Sequence, residues 1–148
     1  RIEDMVSGAE GTIYRANCPL PEGCYYPPTL ISGLSSASPL MQEEIFGPVL
    51  TVFKAKDLTD AIEISNSVEF GLSSSVYTKD ITKAYEYINT VETGMVHVNA
   101  PTLGGEVHLP FGGLNASGVG QREQGTAMVD FFSEVIATEK ELKIRLPT

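Results

Sequence analysis

Val49-Leu50-Thr51-Val52-Phe53, Asp57 to Ser65, Ser73 to Thr78, Asp80 to Val91 and Met95-Val96-His97-Val98-Asn99 follow one another, and their reading decides the fold. The first piece is apolar on both faces, as in a strand covered on both sides. Asp57 is placed to cap a helix whose Leu58, Ala61, Ile62 and Ser65 recur at helical spacing. Gly71 ends the connection, and Ser73 to Thr78 reads as a second strand. Asp80 caps a second helix with Ile81, Ala84, Tyr85, Ile88 and Val91 on one face. Gly94 falls where a left-handed helix stop is wanted. Met95 to Asn99 is a third strand. Strand, helix, strand, helix, strand predicts right-handed crossovers and an α/β fold with a mostly parallel sheet covered by helices.

Upstream, residues 1–9 read as the end of a helix, and Thr12-Ile13-Tyr14-Arg15 as a short strand. Residues 18–28 are a loop broken by Pro19, Pro21, Gly23, Pro27 and Pro28. Tyr25 to Ile31 is extended chain leading into a strand. Ser38 or Pro39 opens one helical turn through Gln42. Downstream, residues 101–120 form a long Gly/Pro-rich loop, of the kind that is usually functional or disordered. Gln121 to Phe132 is expected to be helical. Val135-Ile136-Ala137-Thr138 is a last strand, and Glu139 to Thr148 a charged tail.

The 148 residues suffice for one domain with a core. A hydrophobic content of 42% against 20% charged argues for a folded, soluble chain. No apolar run reaches the roughly 18 residues that a membrane span needs. Ten basic against nineteen acidic residues give a net charge of −9, which disfavours nucleic acid and anionic membranes as partners. The chain opens at Arg1 with helical spacing from its first turn, which reads as a fragment cut within a helix. Cys18 and Cys24 share a loop. One disulfide and two free thiols are both open, and the lack of a signal peptide favours free thiols in the cytoplasm. Neither the cysteines nor the histidines show metal-ligand spacing, so no metal site is expected.

Between the opening segment and the strand at Val49 lies Gln42-Glu43-Glu44-Ile45-Phe46-Gly47-Pro48. A Gly-Pro turn fixes the backbone at a strand mouth, where α/β proteins commonly bind ligands. Glu44 is able to accept hydrogen bonds from ligand hydroxyls there, and Phe46 to lie against a flat ring. The plain alternatives are a capping or surface carboxylate and a core phenylalanine. Glu43 reads as solvated.

Glu43-Glu44-Ile45-Phe46-Gly47-Pro48 resembles the Glu-x-Phe-Gly-Pro signature of the NAD(P)-dependent aldehyde dehydrogenases. Pro110-Phe111-Gly112-Gly113 and Ser117-Gly118-x-Gly120 follow in that family's order and rough spacing. The resemblance covers nearly the whole chain but only the C-terminal third of such an enzyme. It implies that residues 1–132 are the C-terminal part of the catalytic domain and residues 133–148 an oligomerisation arm and tail. It implies a parent that oxidises a small-molecule aldehyde to a carboxylic acid with NAD or NADP, and that forms a homo-oligomer. A non-catalytic α/β oligomerisation or interaction module is the alternative. A small nucleotide-binding protein is a further one. It lacks its phosphate loop, since Glu123 stands where the third glycine after Gly118 and Gly120 would be.

The same resemblance assigns roles residue by residue. Glu44 accepts hydrogen bonds from the nicotinamide-side ribose hydroxyls, and Phe46 packs close to that ribose and ring. Asn99 stands at the edge of the substrate pocket in a supporting role, although a turn residue bonding its own backbone is the plain reading. Phe111 lines the aldehyde tunnel. Leu103, Glu106 and His108 lie in the variable loop that sets substrate choice. Asn99-x-Pro101-Thr102 with Glu106-x-His108 is similar to members acting on sugar-acid or keto-acid semialdehydes. His97 reads as a satisfied histidine on a strand. In the family a cysteine thiolate attacks the aldehyde, the hemithioacetal passes hydride to the nicotinamide, and a glutamate activates the hydrolytic water. Both of those residues precede this part, so no catalytic role falls on Cys18 or Cys24.

Overall fold

The computed structural model describes residues 1–17 and 23–133. Helix α1 (Ile2–Ser7) leads to strand β1 (Thr12–Arg15), then β2 (Thr29–Ser32), helix α2 (Pro39–Gln42) and strand β3 (Val49–Val52). β2 pairs antiparallel with β1 and parallel with β3. The register stacks Tyr14, Leu30 and Leu50 in one cross-strand row, and Ile13, Ile31 and Thr51 in the next. Since side chains alternate across a sheet, these rows face opposite ways. Ile31 is fully buried with Val6, Leu34 and Leu40, and Ile2, Met5, Ile45 and Val49 pack around them. The opposite face is bare: Leu50 is 61% exposed and Tyr14 59%. The expectation that β3 is covered on both faces therefore fails in this chain, because α1 and α2 lie on one side only.

Helix α3 (Leu58–Asn66), strands β4 (Phe70–Gly71) and β5 (Ser73–Val76), helix α4 (Ile81–Thr90) and strand β6 (Met95–Val98) complete the central run. β5 and β6 pair in parallel, from Ser73 opposite Met95 to Val76 opposite Val98. β3 does not join them. The parallel pairs belong to two separate sheets, and β4 makes a third ladder with β7 (Leu114–Asn115). Ile62, Tyr87 and Val91 form a second core, with Leu58, Val76 and Val96 against it.

Both aspartate caps form. Asp57 accepts from the Asp60 amide, and Asp80 from the amides of Thr82 and Lys83. Asp80→Ala is expected to cost about 1 kcal/mol, the usual loss for such a cap, read as a lower urea midpoint with an unchanged slope. The buried face of α4 is only partly the expected one. Ala84, Tyr87 and Val91 are buried, while Ile81, Tyr85 and Ile88 are exposed. The apolar positions Ile81, Ala84, Tyr85, Tyr87, Ile88 and Val91 share one arc of about 160° at 100° per residue, and only one edge of it is buried. Within that arc, contact with α3 and β6 selects the edge that carries Ala84, Tyr87 and Val91.

Two further expectations are corrected. Gly94 does not adopt the left-handed conformation, since α4 ends at Thr90 and Val91 is already extended. Residues 121–126 are not helical. Glu123 exchanges backbone hydrogen bonds with Phe111, and Gln124 and Gly125 take φ of 64° and 55°. Only then does α5 (Ala127–Phe131) begin. The last strand, Val135 to Thr138, and Cys18 lie outside the described residues. Cys24 is exposed. No helix of the described residues is long and apolar enough to cross a membrane.

Candidate functional site

The turn at residues 43–48 connects α2 to β3, and its backbone is unusual. Phe46 has φ 54°, in the left-handed region that aromatic residues rarely occupy, and its side chain is 81% exposed. Holding a non-glycine residue there costs of order 1–3 kcal/mol, and such positions cluster at ligand sites. A buried Phe46 would recover that cost through packing; this one does not, so its core reading fails. Glu44 is exposed as well, and no ion pair among the described residues engages its carboxylate. It is open to accept hydrogen bonds on both oxygens. The residue lines a crevice of about 370 Å³ with Glu43, Ser65, Ser73, Ser74, Thr93 and Ser117. An acceptor carboxylate, an exposed ring and a hydroxyl-lined crevice fit the sugar and ring of a nucleotide cofactor.

A second cleft, about 460 Å³, lies along β6 under the loop that follows it and brings Leu103 and Phe111 together. Leu103 is largely exposed at 85%, and Phe111 is half-buried. Phe111 is held by the reciprocal backbone bonds to Glu123, at 2.6 and 2.8 Å. Met95 and His97 also line this cleft. Both lie on the face of β6 opposite Val96, whose side chain packs on the α3–α4 core. Val96 borders the cleft as well, so alternation along β6 does not by itself single these two out. The His97 Nδ1 lies 3.2 Å from the Ser74 carbonyl and 3.4 Å from the Ser73 hydroxyl. A carbonyl only accepts, so Nδ1 carries the proton in that contact. His97 is thus a partnered strand histidine, as its sequence suggests, but one that also faces the cleft.

Asn99 stands directly before Ala100 and Pro101, which line the cleft. With φ 55° it ends β6, and its amide closes a two-point clasp on Thr78. The Oδ1 accepts from the Thr78 amide and the Nδ2 donates to the Thr78 carbonyl, both at 2.9 Å. It ties together the exits of β5 and β6 and is not among the residues lining the cleft. Glu106 is at the cleft rim, and His108 sits 3.9 Å from its carboxylate with both side chains exposed. Among the described residues, no group of histidine, cysteine, aspartate and glutamate is placed to hold a metal ion.

The aldehyde dehydrogenase family model matches residues 2–137. A Bacillus subtilis (strain 168) alpha-ketoglutaric semialdehyde dehydrogenase is 39% identical over 113 residues, which is 76% of this chain and 23% of that protein. A 2,5-dioxopentanoate dehydrogenase of Saccharolobus solfataricus is 40% identical over 121 residues, 81% of this chain and 25% of the relative. Among solved structures, betaine aldehyde dehydrogenase from Staphylococcus aureus in complex with NAD+ superposes with a TM-score of 0.81 at 30% identity, over 88% of this chain and 27% of that one. Aldehyde dehydrogenase 21 from Physcomitrella patens, in complex with the reaction product succinate, gives 0.76 at 34% identity, over 87% and 27%. The mixed α/β fold is that of a segment of these enzymes. The chain belongs to the aldehyde dehydrogenase family. It spans about a quarter of the length of the relatives it matches.

Proposed function

We propose that this chain is the cofactor-ribose and aldehyde-tunnel segment of an enzyme that oxidises an aldehyde to a carboxylic acid with NAD or NADP. The observation that carries the reading is the exposed, left-handed Phe46 beside the exposed Glu44, whose carboxylate has no ion-pair partner among the described residues. When bound, the nicotinamide supplies a hydride acceptor. Glu44 holds the adjoining ribose through its hydroxyls, and Phe46 limits where the ring can lie. Leu103 and Phe111 form an apolar wall that orients the aldehyde and excludes water, with His97 as a polar group in the same wall. The attacking thiolate and the base that activates water come from outside this segment.

The semialdehyde dehydrogenases among the relatives, together with Asn99-x-Pro101-Thr102 and Glu106-x-His108, support a keto-acid or sugar-acid semialdehyde as substrate. The proposal places the enzyme in the cytoplasm as a homo-oligomer, joined through residues 133–148. The test is Glu44→Gln in the full-length enzyme. The change keeps the shape but replaces a charge-assisted hydrogen bond, so roughly ten- to a hundredfold is lost from cofactor affinity or single-turnover hydride transfer. Unchanged values for both remove Glu44 from the site.

A further inference from the structure

The turn that carries Glu44 and Phe46 is held by a residue 43 positions earlier. The Arg1 guanidinium donates from Nη1 to the Ile45 carbonyl at 2.7 Å and from Nη2 to the Glu44 carbonyl at 2.8 Å. These consecutive carbonyls belong to the peptide units that set the direction of the Glu44 and Phe46 side chains. Ile2, the next residue along, presses on the same turn. A Cβ on Gly47 would stand 2.5 Å from the Ile2 Cδ1, so the glycine leaves room for that side chain. Ile2 and Ile45 both pack on the core around Val6. The start of α1 therefore grips the turn by its carbonyls and wedges it at Gly47.

Phe46 explains why the turn needs such a hold. Its left-handed backbone relaxes toward the ordinary regions unless its surroundings prevent it. Its own ring supplies little restraint at 81% exposure. A planar guanidinium spanning two carbonyls fixes both peptide planes together, which a single ammonium cannot do.

We infer that Arg1 is a positioning residue for cofactor binding: its fork on the Glu44 and Ile45 carbonyls aims the Glu44 carboxylate and the Phe46 ring. The inference rests on the assignment of this turn to the nicotinamide-side ribose made above.

The test uses the full-length enzyme with Arg1→Met, Arg1→Lys and Gly47→Ala. Three readouts are taken: amide exchange of residues 43–49, the dissociation constant of the reduced cofactor by fluorescence without aldehyde, and the aldehyde KM. Arg1→Met is expected to accelerate exchange in the turn and weaken cofactor binding about tenfold, the scale of a charge-assisted hydrogen bond, with the aldehyde KM little changed. Arg1→Lys recovers part of both effects. Gly47→Ala displaces Ile2 and gives the same split with Arg1 intact, so a fault confined to one variant's folding does not imitate the result. Unchanged exchange in Arg1→Met overturns the clamp. Faster exchange with unchanged cofactor binding also overturns the inference, and Glu44→Gln then separates two causes. If Glu44→Gln weakens the cofactor, Arg1 alone is misassigned. If it does not, the turn is not the ribose site.

Discussion

Replacing Gly94 by alanine is expected to destabilise the chain by about 3 kcal/mol, the upper part of the range for overpacking. That corresponds to a drop of about 10 °C in the unfolding midpoint for a chain of this size. Gly94 stands before β6, with its amide donating to the Gly71 carbonyl at 2.9 Å. An added Cβ would collide with the Gly112 carbonyl oxygen, and would lie 2.8 Å from both the Gly112 carbonyl carbon and the Gly113 Cα. All of these atoms are backbone, so no rotamer change relieves the contact. Nor is the opposing strand of chain free to retreat, because Gly113 is itself packed against the Ser117 backbone and side chain. The displaced segment includes the residues next to Phe111, so a variant that folds should also show a changed aldehyde cleft. Differential scanning calorimetry of Gly94→Ala and Gly94→Ser checks the first part. A midpoint within two degrees or so of the parent chain's would show that residues 112–113 yield easily.

Gly94 also shows where sequence reading stops. A glycine a few residues beyond a helix suggests a left-handed cap, because that is a local rule. The actual reason is the approach of a backbone segment from eighteen positions downstream, which no local pattern announces. The elements that were legible have local causes. Asp57 and Asp80 precede helical apolar spacing and do cap. The strands at Thr12, Thr29, Ser73 and Met95 are short pieces set off by the turn, proline and helix signals on either side of them. The ladder of Phe70–Gly71 with Leu114–Asn115 had no such signal, being a two-residue pairing across the fold. Nor did the separation of β3 from β5, since strand order is a property of packing.

The candidate site divides in the same way. The short signature around Glu44 and Phe46 marks the turn, and the Pro-Phe-Gly-Gly turn marks Phe111. The meeting of Leu103 with Phe111 follows from a loop folding back on itself. Residues that act through the backbone are nearly invisible in sequence. Asn99 reads as a turn residue bonding its own backbone, yet its amide is spent on Thr78, and Arg1 carries no motif at all. In both, a polar side chain completes the hydrogen bonds of a distant backbone segment, and its chemistry is visible only once the chain is folded.

The second large effect is expected at Ile31. Ile31→Ala should cost about 3 kcal/mol and Ile31→Val about 1 kcal/mol, the usual losses for removing a fully buried branched side chain and one of its methylenes. Ile31 is 0% exposed among Val6, Leu34 and Leu40, and the helices above it leave little freedom to fill the gap. Leu50 on the neighbouring strand supplies the contrast. It is 61% exposed on the opposite face of the same sheet, so Leu50→Ala should change stability by less than about 0.5 kcal/mol. Urea unfolding of the three variants measures all three effects, with a common slope required for the comparison. The apolar pattern on both faces of β3 makes a further demand. In the full-length enzyme proposed above, a cover over Tyr14, Leu30 and Leu50 would make Leu50→Ala cost about 2 kcal/mol or more. A Leu50 effect that stays near zero in both settings would mean that this face is solvent-facing in the enzyme. The two-sided apolar strand would then reflect composition alone.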